Sequence, residues 1–156
     1  ANYFYDPNED VLNLIDFGAA REYSLEFVSN YMDVIYGSAI GNRELVYQAS
    51  VKLGFLTGEE NIEMKQAHVD SVMIVGEPFS QEGNFDFGDQ SITHRIYEKM
   101  PVMLKNRLRP PPPEVYSLHR ILSGAYLTSM RMRAKVPVFE IFRDIHNDVI
   151  KELKAM

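Results

Sequence analysis

The sequence contains no cysteine, so disulfides and thiolate-ligated metal sites are excluded. No Asn is followed two places later by Ser or Thr, so there is no glycosylation sequon. The longest purely apolar runs, such as Val72 to Val75, are far too short to span a bilayer. No low-complexity stretch argues for disorder, and no signal-peptide or transit pattern is visible in these residues. A methionine start is also lacking. The chain opens on Ala1-Asn2-Tyr3-Phe4-Tyr5, an aromatic, strand-like stretch that reads as the interior of a domain whose preceding part is expected elsewhere.

What is present suits one domain over residues 1–156, with 46% hydrophobic residues and room for a real core. The net charge of −6 is unevenly spread. Residues 1–78 hold 4 basic and 13 acidic side chains, whereas residues 79–156 hold 12 basic and 9 acidic. From Arg95 to Lys135 the balance is 9 basic against 2 acidic. Such a basic strip can meet phosphates, anionic lipid or an acidic partner, or can be a solvated helix face balanced by the acidic first half.

Asn2–Tyr5 and Val11–Ile15 read as two short strands joined by the turn-rich Asp6-Pro7-Asn8-Glu9-Asp10. Everything after Gly18 reads as helix. Leu25, Val28, Met32 and Ile35 mark one face of a helix from about Ser24, its N-cap, to Ile40. Gly41-Asn42 ends it, and a short helix follows over Arg43–Leu53. Thr57-Gly58-Glu59-Glu60 restarts the chain. Met64, His68, Ser71, Val72 and Val75 line a third helix, stopped by Gly76-Glu77-Pro78. A polar loop is expected to Asp89, then short helical turns from Gln90 to Leu108 interrupted at Pro101, with Asp89 or Ser91 as N-cap. Pro110 to Pro113 are extended, a stiff spacer aiming the next helix or a ligand for a proline-binding domain. That helix runs over Val115–Arg133, and a last one over Phe139–Ala155. The eight methionines read as core or partner surface.

The chemistry concentrates near the start. Val11-Leu12-Asn13-Leu14-Ile15 runs into Asp16-Phe17-Gly18. An apolar strand ending at an aspartate, with a glycine that lets the backbone turn away, is how kinase-like enzymes place a magnesium ligand. Mg²⁺ is a hard cation that prefers oxygen donors and is usually shared with substrate phosphates. Asn2 fits the same plan. The catalytic loop of such enzymes ends in an asparagine shortly before a strand pair that the aspartate closes. Asn2 and Asp16 are therefore the candidate metal ligands, brought together by the hairpin. Asp86-Phe87-Gly88 repeats the motif but follows Glu82-Gly83-Asn84, which is turn chemistry, and reads as a loop. His68, His94, His119 and His146 show no metal-binding pair at helical spacing and read as ordinary surface or core histidines. No Ser-His-Asp grouping emerges. After Gly18 a helix starts almost at once, and Ala-Pro-Glu is absent, so no platform for an extended protein substrate follows. This favours ATP hydrolysis or phosphorylation of something small.

Longer stretches carry a family resemblance. Asn2-Tyr3-Phe4-Tyr5-Asp6-Pro7, Leu14-Ile15-Asp16-Phe17-Gly18-Ala19, Arg21-Glu22-Tyr23, Lys52 to Gly58, Gly76-Glu77-Pro78-Phe79 and Phe85-Asp86-Phe87-Gly88 all take part. So do Pro101-Val102-Met103-Leu104 and Pro111 to Arg120. Together they resemble the UbiB family of atypical kinases, in its mitochondrial branch that supports coenzyme Q biosynthesis. The resemblance covers nearly the whole chain. It implies a mainly α C-lobe of a protein-kinase-like fold with a short N-terminal β-hairpin, binding ATP and Mg²⁺. It also implies an atypical kinase or ATPase at the matrix face of the mitochondrial inner membrane. Carried over by position, Asn2 and Asp16 hold magnesium. Phe4, Ile15, Asp16, Phe17 and Gly18 form the nucleotide side, with Phe4 and Ile15 near the adenine. The catalytic aspartate is expected about five residues before Asn2. The nucleotide-binding lysine and its glutamate lie earlier still, so these residues alone are not expected to turn over ATP. The implied partners are the N-lobe of the same protein, the proteins of the coenzyme Q biosynthetic complex and anionic inner-membrane lipid, and not nucleic acid. The alternative is a non-catalytic scaffold docking partners or lipid through Arg107, Arg109, Arg131 and Arg133.

Overall fold

A computed structural model describes residues 3–16 and 21–155. It is mainly helical, with a hairpin at its start. Strands β1 (Tyr3–Asp6) and β2 (Val11–Leu14) pair antiparallel. Helices α1 (Leu25–Ala39), α2 (Arg43–Leu53) and α3 (Ile62–Gly76) follow, and a single 3₁₀ turn (Glu77–Phe79) ends α3. Strand β3 (Phe85–Asp86), helices α4 (Ile92–Asn106) and α5 (Pro113–Met132), strand β4 (Lys135–Val136) and helix α6 (Val138–Ala155) complete the chain.

Local chemistry sets most boundaries. The Ser24 side chain accepts from the Phe27 N–H at 3.2 Å and starts α1. Asn42 and Asn61 do the same for α2 and α3. Gly54 ends α2 in the left-handed region, at φ +80°. There Arg109 reaches back from the proline-rich connection, and its Nε donates to the Gly54 carbonyl at 2.8 Å. Pro112 is extended and Pro113 begins α5, so the prolines do aim that helix.

Among the described residues, three apolar clusters form the core. Leu56, Met64, Ala67 and Met103 join α3 to α4, while Val34, Ala49 and Leu53 join α1 to α2. Phe85, Phe87 and Ile92 pack beneath Tyr126 and Met130 of α5. Ser50 and His68, both buried, bond to each other at 2.9 Å, so neither polar group is stranded. Asn61 Nδ2 donates to Asn106 Oδ1, linking the start of α3 to the end of α4, so these helices run in opposite directions.

Three expectations are corrected. Residues 92–106 form one continuous helix with Pro101 inside it, not broken turns. Ile92 and Met103, buried on its inner side, hold the helix across the lost N–H. The loop before Asp89 contains β3, paired with β4 through Phe85↔Val136 and Asp86↔Lys135, and Phe87 N–H extends the ladder to the Ala134 carbonyl. The region after Gly18 is thus not all helix. The Ser91 side chain makes no capping bond; instead Gln90 Oε1 accepts from the Ile92 N–H at 2.6 Å.

Candidate nucleotide and metal site

The hairpin is built by its turn. Asp6 Oδ1 accepts from the Asn8 N–H at 2.8 Å, and Tyr5 Oη donates to Asp10 Oδ1 at 2.7 Å. Asp10 sits at φ +53°, which a short polar side chain tolerates. The resulting register pairs Tyr3 with Leu14, Phe4 with Asn13, Tyr5 with Leu12 and Asp6 with Val11. Both open ends of the hairpin therefore meet at Tyr3 and Leu14.

Asp16 follows Leu14 by two residues and is exposed. Asn2 precedes Tyr3 by one peptide bond but, like Phe17 and Gly18, lies outside the described residues. Phe4 is 63% exposed and Ile15 58%. Strand alternation sets Phe4 on the face of Val11 and Asn13, and Ile15 continues that face. As donors, a carboxylate and an amide oxygen suit Mg²⁺, which keeps several waters or phosphate oxygens and needs only one or two protein ligands. Among the described residues no group of three or more His, Cys, Asp or Glu gathers as a metal cage.

The second Asp-Phe-Gly is occupied with structure. Asp86 Oδ1 accepts from the Gly88 N–H at 2.8 Å, and Oδ2 pairs with Lys135 Nζ at 3.1 Å. These contacts, the Lys135 bond foremost, hold the Asp86 carboxyl below its usual range. Phe87 is core, and Gly88 lies so close to Arg133 that a Cβ would press on it. Its role is to tie β3 and β4 beneath α5.

The four histidines divide between packed and exposed side chains. His68 is buried against Ser50, His119 stacks on Phe55, His146 stacks on Tyr36, and His94 is exposed beside Glu98. All four arginines considered for a docking surface are exposed; Arg109 is bonded to Gly54, and Arg107, Arg131 and Arg133 stand at the C-terminal ends of α4 and α5. A cleft of about 610 Å³ between the α1–α2 corner, α3 and α4 was not legible in the sequence. Most of its charges are paired between elements, Asp70 with Arg43 and Lys99 and Glu77 with Arg95, and no local spacing signals such pairs, whereas Glu98 faces His94 within α4.

No family model matches the chain. Individual relatives do. Over 147 residues, 94% of this chain, it is 44% identical to the mitochondrial atypical kinase COQ8B of Rattus norvegicus, covering 28% of that protein. It is 42% identical over 147 residues to the mitochondrial atypical kinase COQ8 of Saccharomyces cerevisiae, covering 93% of this chain and 29% of that protein. The mitochondrial atypical kinase coq-8 of Caenorhabditis elegans is 43% identical over 142 residues, covering 91% of this chain and 19% of that protein. The chain belongs to the UbiB atypical kinase family. It spans less than a third of the length of the curated relatives it matches. Within this family the hairpin and six helices are a mainly α, kinase-like C-lobe.

Proposed function

We propose that this chain is the magnesium- and nucleotide-holding C-lobe of an atypical kinase or ATPase that supports ubiquinone biosynthesis at the matrix face of the mitochondrial inner membrane. The hairpin register carries the reading. Tyr3, the neighbour of Asn2 in sequence, pairs with Leu14, two residues before Asp16, and this supports reading Asn2 and Asp16, fourteen residues apart in sequence, as one site. Asn2 and Asp16 would hold the metal, which when bound neutralises charge on the nucleotide phosphates. Phe4 and Ile15 would offer the adenine an apolar surface, with Phe17 and Gly18 completing the nucleotide side. The family names of the relatives support the kinase class.

The test is Asp16→Asn in the full-length protein. This change keeps the side chain's size and removes the ligand's charge. Magnesium-dependent ATP turnover is expected to fall by at least about a hundredfold, with the helical circular dichroism unchanged. Turnover at the parent rate would overturn the assignment.

A second surface is favoured by the exposed Arg107, Arg131 and Arg133, which stand beside the exposed apolar Leu108 and Met132. It would dock coenzyme Q biosynthetic proteins or anionic lipid. Neutralising these three arginines is expected to weaken binding to anionic vesicles while Asp16→Asn leaves it intact. Vesicle binding indifferent to all three would remove this reading.

A further inference from the structure

In protein kinases the stretch that follows the metal-binding aspartate controls whether that aspartate is in place. Here α1 begins at Leu25, nine residues after Asp16, which leaves no room for a long stretch of that kind. Arg21 and Tyr23 are instead tied to the first turn of α5. Arg21 Nη2 meets Glu114 Oε1 at 3.2 Å. Tyr23 Oη and Ser117 Oγ lie 2.8 Å apart. A serine hydroxyl carries one proton, and Ser117 donates its own to the Glu114 carbonyl at 3.0 Å. The Tyr23 hydroxyl is therefore the donor to Ser117. These two contacts bridge 93 and 94 residues of sequence.

Both sides of the contact are rooted in the helical body. Tyr23 stacks on Phe27 with ring centroids 5.3 Å apart, and Phe27 stacks on Tyr31 at 5.9 Å. Phe27 and Tyr31 pack against the cluster of Val34, Ala49 and Leu53. On the other side Val115, next to Glu114, is 1% exposed, and the Arg109 bond to Gly54 holds the connection that leads into α5. The Arg21–Glu114 pair is exposed and contributes little. The half-buried hydroxyl pair carries more of the coupling. Five residue steps separate Asp16 from Arg21, a reach of at most about 18 Å. Anchoring Arg21 and Tyr23 therefore restricts the space that Asp16 can sample.

We propose that Tyr23 and Ser117 are positioning residues for Asp16. Their bond fastens the exit from the hairpin to α5, so the carboxylate is held in place before the metal arrives. The inference rests on reading Asp16 as a magnesium ligand. Neither positioning residue is asked to touch metal or nucleotide, so the effect of breaking the bond belongs in metal affinity and not in the chemical step.

Magnesium titration of ATP turnover by the full-length protein tests this, with the fold of each variant checked by circular dichroism. Tyr23→Phe keeps the ring stack and loses only the hydroxyl. Tyr23→Phe and Ser117→Ala are each expected to raise the magnesium concentration for half-maximal turnover by about fivefold. Turnover at saturating magnesium should stay within about twofold of the parent. The double variant Tyr23→Phe/Ser117→Ala should match either single, because all three break one bond. In protein free of metal and nucleotide, amide exchange over residues 21–27 should quicken in both singles. A magnesium requirement unchanged in both singles, with or without quicker exchange, overturns the proposal, and so do additive effects in the double variant. Asp16→Asn separates the two readings. Its full turnover would remove the magnesium site itself, whereas its inactivity beside parent-like Tyr23→Phe and Ser117→Ala would remove only the positioning role.

Discussion

The hairpin and the helical body treat the same kinds of side chain in opposite ways. Phe4, Tyr5, Leu12 and Leu14 are exposed on both faces of the hairpin. Leu56, Met64, Val46 and Val115 are almost wholly buried in the body. A two-stranded hairpin is marginal in water by itself. Its order here comes from strand pairing and from a turn locked by Asp6, Tyr5 and Asp10. The helices draw theirs from burial, which supplies far more free energy. The element that carries Asp16 is therefore separable from the element that carries stability. Changes at the site should read out in function, and changes in the clusters should read out in folding.

The largest effect that sharpens this contrast is Leu56→Ala. Leu56 is 1% exposed and sits in the cluster with Met64 and Met103. Removing its isobutyl group loses transfer free energy and leaves a cavity, so about 2–5 kcal/mol of unfolding free energy should go, measured by urea denaturation. A loss below about 1 kcal/mol would mean that this cluster does not govern stability. Next comes Gly54→Ala, expected to cost about 2 kcal/mol. The added methyl would occupy a left-handed φ and collide with the Arg109 guanidinium. Arg109→Ala in the same chain should return part of that loss. The backbone share remains, because it does not depend on Arg109.

Much of this architecture was legible because it is written locally. Ser24 and Asn42 stand where side-chain oxygens can cap α1 and α2, and Gly54 stands where only a residue free of Cβ ends α2 without strain. The hairpin was legible for the same reason, with apolar strands flanking Asp6-Pro7-Asn8-Glu9-Asp10. The β3–β4 bridge was not. It joins Phe85 to Val136 across most of the second half of the chain, and two residues are too few to show alternation. Pro101 misled because its local penalty was counted without the burial of Ile92 and Met103 on the other side of α4. The candidate site was legible as a sequence motif. The register that pairs Tyr3 with Leu14 comes only from the fold.

A pH effect of similar size to the Gly54 change should also belong to the helical body. Burial, aided by the Arg107 guanidinium, pushes His68 down to about 4. His119 is lowered in the same direction and by the same causes. A base whose folded pKa lies below its unfolded value of 6.5 takes up a proton on unfolding. Its contribution is full above about 6.5 and is lost as pH falls from there toward 4. Unfolding free energy should drop by about 2 kcal/mol between pH 7 and pH 5 on account of His68. The carboxylates of Asp70 and Glu60 are lowered, so they lose their contributions only in more acidic solution. His68→Gln should flatten the slope between pH 7 and pH 5, leaving the smaller part due to His119. An unchanged slope would show that His68 titrates as an exposed ring.

The smallest expected change tests the other side of the contrast. Leu12 is 58% exposed, and its cross-strand partner is Tyr5. Leu12→Ala removes the same atoms as Leu56→Ala, yet it opens no enclosed cavity and strips far less buried surface. What it does remove is one cross-strand side-chain pair, worth about 0.2–1 kcal/mol to the pairing itself. That energy belongs to β1 and β2, not to the helices. Global unfolding followed by helical circular dichroism should move by no more than about 0.5 kcal/mol. Amide exchange within β1 and β2 should nevertheless quicken, because local opening of the hairpin becomes easier while the helical core stays closed. A global loss as large as that of Leu56→Ala would place the hairpin inside the same cooperative unit as the helices. Its exposed faces would then have to be covered in solution, and Asp16 would be positioned by burial, not by pairing alone.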